Sequence, residues 1–518
     1  SEMCIRDSNI IGIKQYIYCD RHRKTYEKIL IVKESNKMKR VFAVVLTSLM
    51  LITLFGCGGR KRAPIQITLS TEDSEAILNA AGIRLPDADE AKGAGTVVDY
   101  LSWGDPYHNY SDDEIVNTGY WTFENKYGGS INYIETDYFE RFNDLANLTL
   151  GGTPPDLFPG GSGSTACFPM RAIKGVTQAI DDYIDYDDPL WSPVKDVADH
   201  FMLGGKHYQI VIYTAPYSVC LYNKRIMSEY GYDDPAELYY NDEWTWDEFY
   251  EMCIDFSDPD EDRFALDGYW YADGIVDSTG QQIMQIDEDG KYYSNVDSPE
   301  IERAWNLVYE LCKNDCNYRD ATGNRWALRN PSGLKDGKLL FFIEAQNFFT
   351  SPVEEIENNY GAISDGELMF APLPRDPNGD GNYYLLSDFD DINGALCIIN
   401  NAENPEGAAL LASCIRFKHI DPVVRDIDKR QLKEVYLWSD DMLEMKEECQ
   451  RIADGHYMFS LAGDLNQSLN DVLGFANAIP RSASPQTWAS LKESNRERLA
   501  YYIDELNSMI DEYNQENS

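Results

Sequence analysis

Basic residues are scarce in this sequence. It has 45 Lys and Arg against 88 Asp and Glu in 518 residues, and its formal net charge is −43. Nucleic-acid-binding domains carry a basic stripe, and proteins that dock electrostatically on anionic lipid carry basic clusters, so the composition argues against both classes. The excess of negative charge also favours a neutral or cationic ligand over an anionic one, although net charge does not fix the potential inside a cleft.

Long apolar runs are missing as well. The most apolar stretch, residues 41–55, is interrupted only by Thr and Ser. A run of about 15 residues is too short to span a bilayer but fits the core of a signal peptide. Met38-Lys39-Arg40 precedes it, and it ends at Leu54-Phe55-Gly56-Cys57, which resembles a bacterial lipobox. We therefore expect a signal peptide over 38–56 and a diacylglycerol on the thiol of Cys57; the alternative is an ordinary signal peptide with an incidental cysteine.

The segments on either side of this signal have separate expectations. Residues 1–37 are expected to be untranslated or artefactual sequence upstream of a true start at Met38. Residues 57–95 are polar, charged and poor in aromatic residues, which is typical of a flexible tether between a lipid anchor and a folded body. Residues 1–56 carry ten Lys and Arg and five Asp and Glu, so their removal would leave a mature chain with a net charge near −48.

Catalytic and cofactor motifs are absent. The sequence has no His-Glu-x-x-His or Gly-x-Ser-x-Gly motif, and residues 160–164 match neither nucleotide-binding glycine pattern. We therefore expect no enzyme activity, no cofactor and no metal. The eight cysteines after Cys57 lie mostly in apolar runs and are predicted to be small core residues. Asp376 opens a segment with calcium-loop spacing, but its twelfth position is Ser387, so we predict a surface turn.

An alternation of strand and helix patterns begins at Thr96. The hydrophobic fraction of 43% and the aromatic fraction of 13% exclude a disordered chain. Candidate strands at 96–101, 131–136 and 153–158 are separated by helical periodicity, which predicts a parallel sheet covered by helices. The chain from Glu406 onward is predicted to be mostly helical. Further strand candidates lie at 208–213, 218–222, 339–343 and 394–400.

Ordered landmarks connect these elements over residues 96 to about 415. After the lipobox they are Trp103-Gly104-Asp105, Phe123-Glu124-Asn125-Lys126-Tyr127, Leu150-Gly151-Gly152-Thr153-Pro154-Pro155-Asp156-Leu157-Phe158, Leu221-Tyr222-Asn223-Lys224, Thr245-Trp246-Asp247-Glu248, Asp336-Gly337-Lys338 and Ala371-Pro372-Leu373-Pro374. Together they resemble the family 1 extracellular solute-binding proteins, the sugar-binding group of ABC importers. Residues 432–488 do not align with that pattern.

The resemblance implies a fold and a set of partners. The fold would be α/β, a two-lobed periplasmic-binding-protein-like fold of type II, with discontinuous lobes, hinge crossovers and a ligand cleft. We place lobe 1 at 96–214 plus 338–404 and lobe 2 at 215–337 plus 405–518. The implied protein is a monomer held at the outer face of a bacterial cell membrane by its lipid, which closes on a saccharide and delivers it to ABC permease subunits.

Candidate ligand residues follow from sugar chemistry and from this fold. A sugar presents apolar ring faces and a rim of hydroxyls, which aromatic planes and carboxylates or amides recognise. Ligands in open α/β sheets lie beyond the carboxyl ends of strands. For the aromatic residues core packing is the competing role, and for 388–391 it is a solvated loop. The candidates at strand ends, crossovers and the helical region are Trp103, Asp105, Ser162, Tyr213, Tyr217, Trp270, Tyr271, Glu344, Gln346, Asp388, Asp390 and Trp438.

Other functions stay open at this point. The same two-lobed body serves proteins that bind peptides or polyamines, and it also serves cell-surface sensors. A secreted glycoside hydrolase would use carboxylates and aromatic residues too, with two carboxyl groups about 5–10 Å apart across the scissile bond. Among 88 acidic residues such pairs arise by chance, so composition does not separate these classes.

Overall fold

A computed structural model of the chain describes residues 71–88, 91, 97–104, 118–138, 140–160, 168–216, 218–268, 271–318, 332–344, 352–388, 394–458 and 485–517. The predicted signal peptide, Cys57 and residues 1–37 lie outside these ranges. Within them, no helix combines the length and the apolar character that crossing a membrane requires.

The described chain alternates strands and helices, with 3₁₀ turns at Ser192–Val194, Asp199–Phe201 and Pro259–Glu261. The strands are β1 (Val97–Ser102), β2 (Ser130–Glu135), β3 (Leu157–Pro159), β4 (Met202–Leu203), β5 (Lys206–His207), β6 (Ile210–Val211), β7 (Ala215–Pro216), β8 (Val219–Asn223), β9 (Phe264–Gly268), β10 (Met284–Ile286), β11 (Tyr292–Ser294), β12 (Leu339–Glu344), β13 (Leu368–Pro372), β14 (Leu385–Asp388), β15 (Ala395–Ile398) and β16 (Tyr457–Met458). The helices are α1 (Thr71–Ala80), α2 (Gly119–Tyr127), α3 (Arg141–Gly151), α4 (Met170–Ile173), α5 (Lys195–Ala198), α6 (Lys224–Tyr230), α7 (Pro235–Tyr240), α8 (Trp246–Phe256), α9 (Tyr271–Asp277), α10 (Pro299–Lys313), α11 (Ser332–Asp336), α12 (Val353–Asn359), α13 (Pro405–Ile420), α14 (Pro422–Glu434), α15 (Asp440–Gly455) and α16 (Trp488–Glu516).

Lobe 1 is built on a five-stranded sheet in the order β2-β1-β3-β15-β6. β1 runs parallel to β2 and β3, whereas β15 runs antiparallel to β3 and β6. Asp156 fixes the start of β3, because its carboxylate accepts the backbone N–H groups of Asp99 and Asn404, each at 2.8 Å. The parallel pairing confirms the strand and helix alternation that the sequence predicts.

Helices α2 and α13 cover one face of this sheet. The hydroxyl of Thr118 accepts the N–H of Trp121 at 3.1 Å and begins α2, and Gly128 ends it at φ +69°. The two helices cross closely at Gly119, where an added Cβ would lie 2.4 Å from the Cα of Ile415. Only glycine permits that approach.

Lobe 2 is built on a four-stranded sheet in the order β13-β8-β12-β9. β8 is antiparallel to both β13 and β12, and β12 is parallel to β9. The predicted boundaries are therefore wrong in two places: β12 and β13 belong to lobe 2, and α13, which packs on α2 and β15, belongs to lobe 1. Strand pairing decides the first assignment and helix packing decides the second, and the alternation of elements along the chain reveals neither.

Among the elements that the structure describes, three crossings join the lobes, and a small sheet in the order β16-β14-β7 lies at the junction. The first crossing runs from β6 through β7 to β8, and the second runs from β13 through β14 to β15. β14 pairs antiparallel with β7 and parallel with β16. The third crossing lies between α14, which packs on α13, and α15, which packs on β13. These crossings confirm the two-lobed architecture with hinge segments.

The first described helix packs on the body of the protein. Leu78 and Leu85 are buried in the main core, and the hydroxyl of Ser74 donates to the carboxylate of Asp421 at the start of α14. The prediction of a flexible tether over 57–95 is thus wrong for residues 71–88. The composition of this segment is polar, so it does not indicate that apolar residues of α1 and the following turn are buried.

The last helix contacts both lobes. Near its start, Trp488 stacks on Trp305 of α10 in lobe 2, with ring centres 5.5 Å apart and planes at 15°. Near its end, the hydroxyl of Tyr513 is hydrogen-bonded to that of Tyr208, which precedes β6 in lobe 1. α16 therefore lies along the junction of the two lobes.

Candidate ligand-binding cleft

The topology places a cleft between two sheet edges. In lobe 1, β6 and β3 both run antiparallel to β15, and β1 runs parallel to β3, so all three end at the same edge. In lobe 2, β9 and β12 end where β8 begins. The first crossing connects the end of β6 to the start of β8. Both carboxyl edges therefore lie at the hinge, and the space between them is the candidate ligand site.

An aromatic group lies at the carboxyl edge of lobe 1. Trp103 directly follows β1, is half-buried, and meets Tyr138 edge-on, with ring centres 5.3 Å apart and planes at 87°. The guanidinium carbon of Arg141 lies 5.1 Å from the centre of the Trp103 ring and 3.7 Å from that of Tyr138. The structure thus brings Trp103 to the predicted place, and its contact with a ligand stays a prediction.

Two buried arginines beside this group were missed in the sequence. Arg141 opens α3 and is 4% exposed, and Arg171 lies in α4 and is 5% exposed. Both guanidinium groups lie against the ring of Phe142, at 4.3 and 4.4 Å from its centre. Arg171 follows Met170 in an apolar stretch, which was the available signal that its charge would be buried.

The first crossing is held by packing on α13 and α15. Tyr213 stacks on His419 with ring centres 4.0 Å apart and planes at 19°. The hydroxyl of Thr214 donates to Asp454 at 3.0 Å, and Gln450 donates to the Thr214 carbonyl at 2.7 Å. One face of the predicted ligand residue Tyr213 is therefore occupied by a protein ring.

Acidic and hydroxyl groups lie at the carboxyl edge of lobe 2. Glu344 ends β12 and is 3% exposed, and the fully buried hydroxyl of Ser218 makes no hydrogen bond in the described structure. Asp273 and Asp277 share a face of α9. Burial raises the pKa of Asp273 to about 6, and burial, followed by the charge of Asp273, raises that of Asp277 well above its usual value. The sequence placed Glu344 here but missed the two aspartates.

Two predicted aromatic contacts are corrected by the structure. Tyr271 is 3% exposed, and its hydroxyl lies 4.0 Å from the sulfur of Cys312 in the lobe 2 core. Trp438 is also 3% exposed and packs edge-on against Phe370 of β13 at 5.5 Å. Both rings fill the core rather than the cleft surface, because burying a large aromatic side chain against the sheet is strongly favourable.

Six further candidates lie outside the described residues, and they stay predictions. The backbone of Asp388 is described: it pairs with Ala215 across β14 and β7, which places it at the hinge, while its side chain lies outside the description. The six are Asp105, Ser162, Tyr217, Trp270, Gln346 and Asp390.

The other sequence expectations concern metals and cysteines. The carboxylate of Asp376 accepts the N–H of Asn378 at 2.9 Å and pairs with Arg303 at 2.6 Å, which is a turn held by an ion pair. No group of three or more His, Cys, Asp or Glu side chains within the described ranges is arranged to hold a metal. The described cysteines are buried, as predicted; they are Cys220, Cys253, Cys312, Cys316, Cys397, Cys414 and Cys449.

Solved structures share this fold. An ABC substrate-binding protein of Listeria monocytogenes, solved with cycloalternan, is 15% identical, with a TM-score of 0.52 and coverage of 80% of this chain and 99% of that one. The galacto-N-biose/lacto-N-biose I-binding protein of Bifidobacterium longum, solved with lacto-N-biose, is 14% identical, with a TM-score of 0.55 and coverage of 79% and 98%. The GacH receptor of Streptomyces glaucescens, solved with acarbose, is 14% identical, with a TM-score of 0.52 and coverage of 78% and 99%. At these identities the likeness establishes the fold.

A comparison with curated protein sequences gave no match. A family model, in contrast, matches residues 121–416, which is more than half of the chain and spans both lobes and their first two crossings. The chain belongs to the bacterial extracellular solute-binding protein family.

Proposed function

We propose that this protein is the substrate-binding lipoprotein of an ABC importer and that it captures a saccharide in the cleft between its lobes. The observation that carries the proposal is the half-buried aromatic pair Trp103 and Tyr138 at the carboxyl edge of lobe 1, 5.3 Å apart. Such rings stack on the apolar faces of sugars, and the carboxylates across the hinge accept sugar hydroxyls.

The fold supports capture by closure. The lobes are connected by the crossings described above, and a hinge of this kind lets two lobes close around a solute. The solved relatives with the same fold hold cycloalternan, lacto-N-biose and acarbose, all of which are saccharides. A binder that hands its solute to a permease needs no catalytic group, so we further propose that the protein is not an enzyme.

The membrane attachment is part of the proposal. Cys57, in its lipobox-like context, would carry the lipid that anchors a monomer to the outer face of the cell membrane. Labelling of expressing cells with a radioactive or alkyne palmitate would mark the wild-type chain and leave Cys57→Ser unlabelled. Equal labelling of the wild type and the variant would contradict lipid attachment at Cys57.

A thermal-shift screen tests the substrate class. A ligand that binds only the folded state raises the unfolding midpoint by mass action, equivalent to about 2.7 kcal/mol at a hundredfold excess over its dissociation constant. We expect the chain without its signal peptide to respond to a saccharide that is recovered intact. A response to peptides or polyamines alone would overturn the substrate class, and hydrolysis of the saccharide would overturn the assignment as a binder.

A further inference from the structure

The side chain of Arg171 is in an unusual environment. It is 5% exposed, and both of its terminal nitrogens are buried without a hydrogen-bond partner. Its contacts are with two aromatic rings: the guanidinium carbon lies 4.4 Å from the centre of Phe142 and 4.7 Å from that of Phe158. Cation–π contacts offset part of the desolvation of the charge, but they leave its N–H groups without acceptors.

Arg141 places a second positive charge close to that of Arg171. Arg141 lies 4.3 Å from the Phe142 ring, so the two guanidinium carbons are no further apart than the sum of their distances to that ring. One terminal nitrogen of Arg141 donates to the Tyr138 carbonyl, while its Nε is buried without a partner. Within the described residues, no carboxylate pairs with either guanidinium.

Another buried arginine of lobe 1 shows how a structural one is accommodated. Arg416 is 4% exposed, and it donates from Nε to the Leu190 carbonyl at 3.1 Å and from a terminal nitrogen to the Ile212 carbonyl at 2.6 Å. Both bonds tie separate segments of the lobe together. Arg171 makes no such bond, so its charge is not needed to connect the fold.

The location of the pair points to the ligand. Arg141 is the first residue of α3, the helix that follows β2, and Arg171 contacts Phe158 in β3. Arg141 therefore lies at the carboxyl edge of lobe 1, beside Trp103, and Arg171 shares the Phe142 ring with it. Guanidinium groups bind carboxylate, sulfate and phosphate oxygens through paired N–H groups, which are the groups that Arg171 leaves unused.

We propose that Arg171 and Arg141 bind an anionic group of the solute, so that the captured saccharide is an acidic one. The inference rests on the proposed saccharide-binding function and names its substrate class. Trp103 stacks on the sugar ring while the guanidinium of Arg171 turns toward the cleft and holds the anionic oxygens. This substrate class is the opposite of the one that net charge favours, because two guanidinium groups that form no ion pair within the described residues lie close together in a strongly negative chain.

Isothermal titration calorimetry on the chain without its signal peptide tests the proposal. The probes are galacturonic acid and digalacturonate, their neutral counterparts galactose and galactobiose, and glucose 6-sulfate and glucose 6-phosphate. We expect the acidic member of a matched pair to bind at least tenfold more tightly than the neutral one. The sulfate and phosphate arms identify which anionic group the arginines prefer.

Two variants separate binding from folding. Arg171→Met should lose the tenfold preference for the acidic sugar, change neutral-sugar affinity less than threefold, and unfold at the same temperature as the wild type or a higher one. Arg416→Met should unfold at a lower temperature, because it removes bonds that connect segments. Arg171→Lys keeps the charge and should retain part of the preference.

The outcomes distinguish the two proposals. Equal affinity for acidic and neutral sugars, or an Arg171→Met variant that weakens both equally, overturns the acidic substrate and leaves saccharide binding in place. A lower unfolding temperature for Arg171→Met with an unchanged preference makes the residue structural and overturns the inference. Failure of every saccharide in the panel to bind overturns both.

Discussion

Replacing Asp273 with Asn should change how the stability of the protein depends on pH. Asp273 lies in the first turn of α9 at the lobe 2 edge, and burial raises its pKa from an ordinary value of 3.8 to about 6. It accepts no hydrogen bond from the described residues, so no such bond opposes the effect of burial on its ionised form. The folded state therefore holds the proton more tightly than the unfolded state does.

The sign and size of the effect follow from proton linkage. Where the folded state binds more protons, the free energy of unfolding falls as pH rises. The stabilisation from protonated Asp273 is fully present below about pH 4, is lost as the pH rises toward 6, and changes little above that. A shift of about two units corresponds to roughly 2–3 kcal/mol, since each unit is about 1.4 kcal/mol. Asn cannot ionise, so the variant should be more stable than the wild type by about this amount at pH 7 and similar to it at pH 4.

Urea unfolding followed by tryptophan fluorescence from pH 4 to 7.5 measures this difference. The matched control is Asp297→Asn, because hydrogen bonds to Arg496 and Lys492 hold the pKa of that exposed carboxyl well below its usual range. The control should be slightly less stable than the wild type over the same interval. Parallel pH profiles for the wild type and Asp273→Asn would refute the account of Asp273.

Two further changes test the packing around the cleft. Gly268→Ala should destabilise the protein and weaken ligand binding, because Gly268 sits at φ +130° and an added Cβ would lie 2.1 Å from the Ile343 carbonyl oxygen at the end of β12; an unchanged unfolding midpoint in a thermal melt would count against this. Trp305→Ala should cost about 3–5 kcal/mol, because it removes a fully buried ring stacked on Trp488, and urea unfolding should give a clear loss of stability; a cost below about 1 kcal/mol would contradict the anchoring of α16.

Local pattern predicted the elements of the fold well. The apolar runs that became β1, β2 and β3 were visible because strands and helices have distinct periods. The contacts of Asp156 were not visible in this pattern, because its carboxylate accepts the N–H groups of Asp99 in β1 and of Asn404 at the start of α13.

The sequence pattern did not predict which distant strands and helices contact one another. β12 is a continuous apolar run that fits either sheet, and only its pairing with β8 and β9 places it in lobe 2. Likewise α1, in a polar stretch, gave no sign that Ser74 would meet Asp421 across the fold. Such contacts join residues far apart in the chain, so no local signal reports them.

The same distinction between local pattern and long-range contacts applies to the residues of the candidate site. Trp103 lies at the end of β1 because it follows that strand directly, and its ligand contact stays a prediction. Tyr271 and Trp438 lie in the core, since an aromatic side chain suits either role. Arg171 was missed because composition suggested a negative protein without functional cations. The apolar stretch around it indicated burial, but the absence of hydrogen-bond partners for its terminal nitrogens is visible only in the structure.

Small-angle X-ray scattering of the chain without its signal peptide, with and without the saccharide that binds it most tightly, tests the central claim most directly. A two-lobed binder that closes about its hinge should become more compact, with a smaller radius of gyration at saturating saccharide. Saturation without any compaction, or compaction only with a peptide or polyamine, would contradict capture of a saccharide between the lobes.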